Sequence, residues 1–340
     1  MILVEFRYSP KEGNVKKTFA LILVSVMVFG LVGTIAAKDI PFPDPEKTVT
    51  IVVPHAAGGG TDLAFRPLVE EMKRIARSSF IVSNIAGAGS ATGANEVINS
   101  PADGYTLLAS GTHTIAAELQ GLTAGNEQLE GIIGMNWDPF IVAVNSKKPW
   151  NSMKELVAAA KAAPGKISLG NAGMGGATGV ASVGINLAFG KSFNVTPFNG
   201  GADLIASVLG GHCDVGIFSQ SEFLANKASM KALVILSDDK SSLAELAYIP
   251  TLAAAGYPDL NVPGGSFKSL SVKKGTPPAI KAYLADLAEK AFKSENYQKF
   301  MEKNGLIPAF SKLADLDAYN AKIVADYIPI MKEAGLLKKK

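Results

Sequence analysis

The sequence has 340 residues, 48% hydrophobic and 19% charged. This is the composition of a folded chain long enough for two domains with separate cores, and it excludes a disordered one. The net charge is +3, from 33 Lys and Arg against 30 Asp and Glu; the first 37 residues hold four of the basic and two of the acidic ones, leaving 29 against 28 in the rest, a balance that excludes attraction to a phosphate backbone and so nucleic acid as a partner.

In chain order, Lys16 and Lys17 precede an apolar stretch, residues 18–35, that ends in Ala36 and Ala37. Basic, apolar and small-residue segments in that order predict a secretory signal over residues 1–37 and export. The apolar stretch nears the ~20 residues of a spanning helix, so an uncleaved anchor is the alternative. Residues 48–53 are β-branched and predict a buried strand. A glycine loop follows, Pro54-His55-Ala56-Ala57-Gly58-Gly59-Gly60, and then a helix over residues 61–77 with Thr61 as its N-cap and a kink at Pro67.

The unit then recurs. A strand is predicted over residues 80–85, a Gly-rich loop over 86–93, a helix to Asn99, a turn at 101–104 and a strand over 105–109. Residues 132–145 contain a further strand, and 152–163 form an Ala-rich helix. A strand at 166–169 leads into a second glycine loop, Gly170-Asn171-Ala172-Gly173-Met174-Gly175-Gly176-Ala177-Thr178, and a helix over 179–189. Strands over 193–198, 215–218 and 230–236 surround a helix at 202–209, and residues 277–294, 295–304 and 313–333 are helical. Strands alternating with helices at this spacing predict an α/β architecture with mostly parallel sheets, and the repeated strand–glycine loop–helix unit predicts two lobes.

The two glycine loops carry the strongest local signal. Free N–H groups at a helix start carry about half a positive charge and make an anion site without Lys or Arg. Glycine lets the backbone approach the ligand closely. Either loop alone is also explained as a tight strand-to-helix turn. His55 lies in the first loop, where ligand bonding and loop packing are both open. Asp62 either complements the helix dipole or meets a polar group of the ligand. Trp137 and Phe140 are pocket-wall or core candidates. Cys213, the single cysteine, reads as a small buried hydrophobe.

Enzyme motifs fail. Gly87-Ala88-Gly89-Ser90-Ala91-Thr92-Gly93 is one residue longer than the dinucleotide fingerprint, and the stretch ending Gly190-Lys191-Ser192 is one residue too long for a phosphate loop. There is no GxSxG, HExxH or CxxC. No catalytic residue, metal ligand or cofactor is expected. An exported nucleotide-dependent enzyme using residues 86–93 is the competing reading, and a ligand-reporting partner of a sensor is a third.

Several stretches resemble the tripartite tricarboxylate transporter receptors, the periplasmic Bug proteins. They are Thr50-Ile51-Val52-Val53-Pro54 with Gly58-Gly59-Gly60-Thr61-Asp62; Gly87-Ala88-Gly89 with Gly93-Ala94; and Pro101-Ala102-Asp103-Gly104-Tyr105. Further on come Pro164-Gly165-Lys166-Ile167, Gly170-Asn171-Ala172-Gly173, Pro197-Phe198-Asn199-Gly200-Gly201-Ala202, Gly210-Gly211-His212-Cys213-Asp214-Val215, Ile249-Pro250-Thr251 and Gly275-Thr276-Pro277. The resemblance implies a two-lobed type II periplasmic-binding fold, with residues 38–145 and 260–340 in one lobe and 146–259 in the other. It implies a monomeric receptor, not an enzyme, that captures a small carboxylate by cleft closure for the membrane subunits of a tripartite transporter. The ligand-binding residues it implies are His55, Ala56, Gly58, Gly59, Gly60, Thr61 and Asp62 in the first loop. In the second they are Asn171, Gly173, Met174, Gly175 and Thr178, with Ser219 and Gln220 beyond. The chain departs from the family pattern at Gly176-Ala177-Thr178-Gly179, where a Ser-rich run ending in His is usual, and at Ser219-Gln220. His55 and Ala56 also differ from the usual aromatic and Pro. Fewer polar groups in the second loop imply a smaller or less charged acid.

Overall fold

A computed structural model describes residues 42–338; the signal segment expected over residues 1–37 lies outside them. Strand β1 (Val49–Val53) is buried along almost its whole length, as its Val and Ile content requires. Helix α1 (Gly60–Ala76) follows, with Pro67 inside it and left-handed Arg77 closing it. Its N-cap is Gly59, with no side-chain capping bond. Thr61 is therefore not the cap that the sequence predicts: the cap lies two residues earlier, and a carboxylate from elsewhere in the chain accepts the N–H of Gly60. β2 (Phe80–Asn84), a 3-10 turn at Ala88–Ser90, α2 (Ala91–Asn99), β3 (Thr106–Gly111), α3 (Thr112–Leu119) and the short α4 (Gly125–Gln128) complete the first part.

β4 (Leu129–Asn145) spans 17 residues. After it come α5 (Met153–Ala162), β5 (Ile167–Asn171), α6 (Ala177–Ala188), β6 (Phe193–Pro197), α7 (Gly201–Leu209), β7 (Val215–Ser219), α8 (Gln220–Asn226) and β8 (Met230–Ile235). The chain ends with β9 (Gly265–Lys273), α9 (Pro278–Phe292), α10 (Glu295–Asn304), β10 (Ile307–Lys312) and α11 (Leu313–Glu333). The sequence reading does not contain α3, α4, α8, β9 or β10.

The strands form a curled, mixed sheet in the order β2-β1-β3-β9-β4-β7-β5-β6, with β10 and β8 also paired to β4. Pairings among β1, β2 and β3, and among β5, β6 and β7, are parallel. Every pairing of β4 or β9 is antiparallel. β4 serves two sheets. Up to Pro139 it pairs with β9, and from Phe140 onward with β7 and β8. Proline has no N–H to donate, so the ladder changes partner where a bond is missing anyway. The N–H of Phe140 then donates to the Gly264 carbonyl at 2.8 Å, and the N–H of Leu236 to the Phe140 carbonyl at 2.8 Å. The strand 139–140 and the segment between Leu236 and Gly265 thus carry the chain between the sheets side by side. α11 packs over this region, its Ile323, Tyr327 and Met331 sharing one buried cluster with Ile115 of α3 and with Val180 and Ile185 of α6.

Candidate functional site

β1 and β5 each run into a glycine loop and a helix start, and their sheets meet at β4, so the starts of α1 and α6 face a common space. A cavity of about 50 Å³ lies there. Its wall takes His55, Gly59, Gly60 and Thr61 from the first loop and Ala172, Gly176, Ala177 and Thr178 from the second. His113, Phe140, Gly201, Ser219, Glu222, Ser266 and Lys268 complete it.

Of the residues expected from sequence, His55, Gly59, Gly60, Thr61, Thr178 and Ser219 reach this wall. The others are engaged elsewhere. The N–H of Gly58 donates to Asp62 at 3.0 Å, and the N–H of Gly59 to the Ala56 carbonyl at 3.3 Å. Asp62 also accepts from Arg66 at 2.6 Å and Asn84 at 2.9 Å. Burial alone would raise its carboxyl, but these bonds hold it below the usual range. Asn171 is buried, donating to Ser182 at 3.0 Å and accepting from the N–H of Gly173 at 2.9 Å. The Met174 carbonyl accepts from Gln120 at 3.0 Å. Gln220 donates to the Gly305 carbonyl at 2.6 Å. Gly173 and Gly175 face not the cavity but Gly89, which packs directly against the Gly175 backbone. That contact leaves only a small cavity of about 20 Å³ beside residues 87–90, where the competing enzyme reading needs a nucleotide.

Sequence reasoning missed the charged groups. Lys268 and Asp138 are fully buried, 3.3 Å apart, on adjacent strands β9 and β4. Asp138 also accepts the Ser221 hydroxyl at 2.6 Å. A buried Lys is rare without such a partner. Ser266 and Lys268 sit two apart on β9, so they share a face; the signal was a lone Lys among alternating Ser and apolar residues. Glu222 accepts from the N–H of Gly60 at 2.8 Å and of Ser219 at 2.9 Å. Burial, with Asp138 nearby, pushes its carboxyl up despite those bonds. His55 and His113 stack edge to face, centroids 4.7 Å apart. Burial, helped by Lys268, lowers His55 to about 4. Burial and its neighbour lower His113 well below the usual imidazole range, although it contacts the Ala109 carbonyl at 3.0 Å. Both rings are therefore neutral at pH 7, and the buried Nδ1 of His55 has no protein partner among the described residues.

At the start of α6 no side chain caps the helix, whose N-cap Gly176 is extended. The N–H groups of Ala177 and Thr178 have no intrahelical acceptor by geometry. An ammonium and a free helix start thus converge on one small cavity. A larger cavity, about 460 Å³, lies against the opposite face of β4 and β9, walled in part by Trp137, Leu260 and Tyr319. Neither glycine loop reaches it.

The model of the tripartite tricarboxylate transporter family receptors matches residues 64–336. The chain belongs to that family. It is 25% identical over 329 residues to the protein BugT of Bordetella pertussis, covering 95% of this chain and 98% of that one. Among solved structures, the periplasmic binding protein BugD superposes with a TM-score of 0.81 at 26% identity, over 87% of this chain and 100% of its own. An R. palustris protein solved with adipate gives a TM-score of 0.78 at 22% identity, over 86% of this chain and 98% of its own. The receptor is therefore a solute-binding protein of a transport system and not an enzyme. The fold matches two-lobed periplasmic binding proteins.

Proposed function

We propose that this receptor is exported to the periplasm through its N-terminal signal and captures a small organic acid there. It needs no cofactor or metal, and it acts as a monomer. The acid lies between a lobe of residues 38–145 and 260–340 and a lobe of residues 146–259. It stabilises the closed form, which the membrane subunits of the tripartite transporter read.

The observation that supports this reading is the pairing of Lys268 with the uncapped start of α6 across one cavity. A carboxylate there gains charge-assisted bonds from both sides.

Ala177→Pro tests the reading at one atom. Ala177 is the first residue of α6, a position where proline is favoured, and Gly176 before it is already extended. The substitution deletes one N–H and leaves the helix. Calorimetric titration with small carboxylic acids should show affinity reduced by about tenfold to a hundredfold, with the thermal melt of the free protein little changed. Undiminished affinity would move the acid away from α6.

A further inference from the structure

The first glycine loop builds an anion position that the protein itself fills. Glu222 accepts the N–H of Gly60, the first residue of α1, at 2.8 Å across 162 positions of sequence. A capping box with Ser219 explains why Glu222 bonds its own helix. It does not explain the bond to α1. Against the same Oε1 lies Gly201, the first residue of α7, where any Cβ would overlap the Glu222 carboxylate. One carboxylate thus sits against the starts of two helices, each presenting about half a positive charge. Across the cavity, α6 has no such internal acid, and the Thr178 hydroxyl is already taken by the N–H of Ala172 at 3.0 Å.

We infer that Glu222 is a specificity-determining residue: it occupies the second anion position of the cavity and restricts the receptor to acids with a single carboxylate. This rests on the reading that the cavity takes an acid. One ligand carboxylate has a seat between Lys268 and α6. A second would have to share the Gly60 position with Glu222. The groups around Glu222 offer it no relief, since Asp138 on β4 is acidic, Lys268 on β9 already serves both Asp138 at 3.3 Å and the first carboxylate, and His55 and His113 are uncharged. Charge repulsion in a buried space is poorly screened, so the penalty falls on the second carboxylate.

The test titrates purified receptor with acid pairs that differ by one carboxylate, lactate against malate and butyrate against succinate, at neutral pH. It is repeated on Glu222→Gln and Glu222→Ala. The wild-type protein should bind each monocarboxylate at least about tenfold more tightly than its partner. In both variants that ratio should collapse or invert, because the N–H groups of Gly60 and Ser219 are then free of a competing negative charge. Circular dichroism melts check folding; if the alanine variant does not fold, the near-isosteric glutamine variant decides. Wild-type binding of dicarboxylates as tight as of monocarboxylates, or an unchanged ratio in the folded variants, would overturn the inference and leave acid capture standing. No binding of any of the four acids would overturn both.

Discussion

Removing the ammonium of Lys268 leaves Asp138 buried without a counter-charge, held by the Ser221 hydroxyl at 2.6 Å and the Ser221 N–H at 3.3 Å. Breaking one side of a buried pair costs about 3–5 kcal/mol, so Lys268→Met should lower unfolding free energy by that amount and abolish acid binding. Adding Asp138→Asn removes the stranded charge while keeping an acceptor for Ser221. In denaturant titrations the double variant should regain most of the stability, and in calorimetry none of the binding; regained binding would mean that Lys268 is not the acid's counter-ion. These two residues were hidden in the sequence for a physical reason. Lys268 belongs to Gly265-Ser266-Phe267-Lys268-Ser269, which has a strand's alternation but a loop's composition, and only pairing with β3 and β4 makes it a strand. Glu222 was more accessible. Ser219-Gln220-Ser221-Glu222 has the spacing of a capping box, which marks the start of α8.

Strand–loop–helix units were legible because β-branched runs and glycine turns are local signals, and β1 to α1 and β5 to α6 stand where the sequence puts them. The division of labour within each loop was not legible, since it depends on contacts over a hundred residues apart. The glycines of the second loop that were expected at the ligand instead meet the turn at Ala88–Ser90. Gly175 can test what that contact does. A Cβ there would come within 2.9 Å of the Ala88 carbonyl oxygen and 3.0 Å of Gly89 Cα, and its backbone does not require glycine. Gly175→Ala should hold the two turns apart and weaken acid binding by about tenfold or more, with the fold intact by circular dichroism. Full affinity would show that this contact is not part of the closed form.

Across the whole molecule, the two neutral histidines tie stability to pH. His55 is lowered to about 4 and His113 also lies below its free value, both chiefly by burial. Their unfolded forms take up protons first, so their contribution is complete above about pH 6.5 and is lost as pH falls toward 4. For His55 alone the loss is about 3 kcal/mol. Glu222, pushed up by burial, acts with the opposite sign and offsets part of it. Urea midpoints should therefore fall between pH 6.5 and 4.5, and less steeply in His55→Gln; an identical slope in that variant would remove His55 as a cause. The two-lobe plan itself was readable from the repeated unit, but the sharing of β4 was not, because nothing local marks where a strand changes partners except Pro139.

That sharing has a consequence for timing. Lys268 and Asp138 are fixed to β9 and to β4 just before the partner change, whereas the amides of α6 ride on the other sheet. In the proposed closure the ammonium would stand in place before the sheets come together, and the amides would arrive with them. If so, arrival of an acid would be governed by the first and its residence by the second: Lys268→Met should slow capture in stopped-flow binding, and Ala177→Pro should speed release.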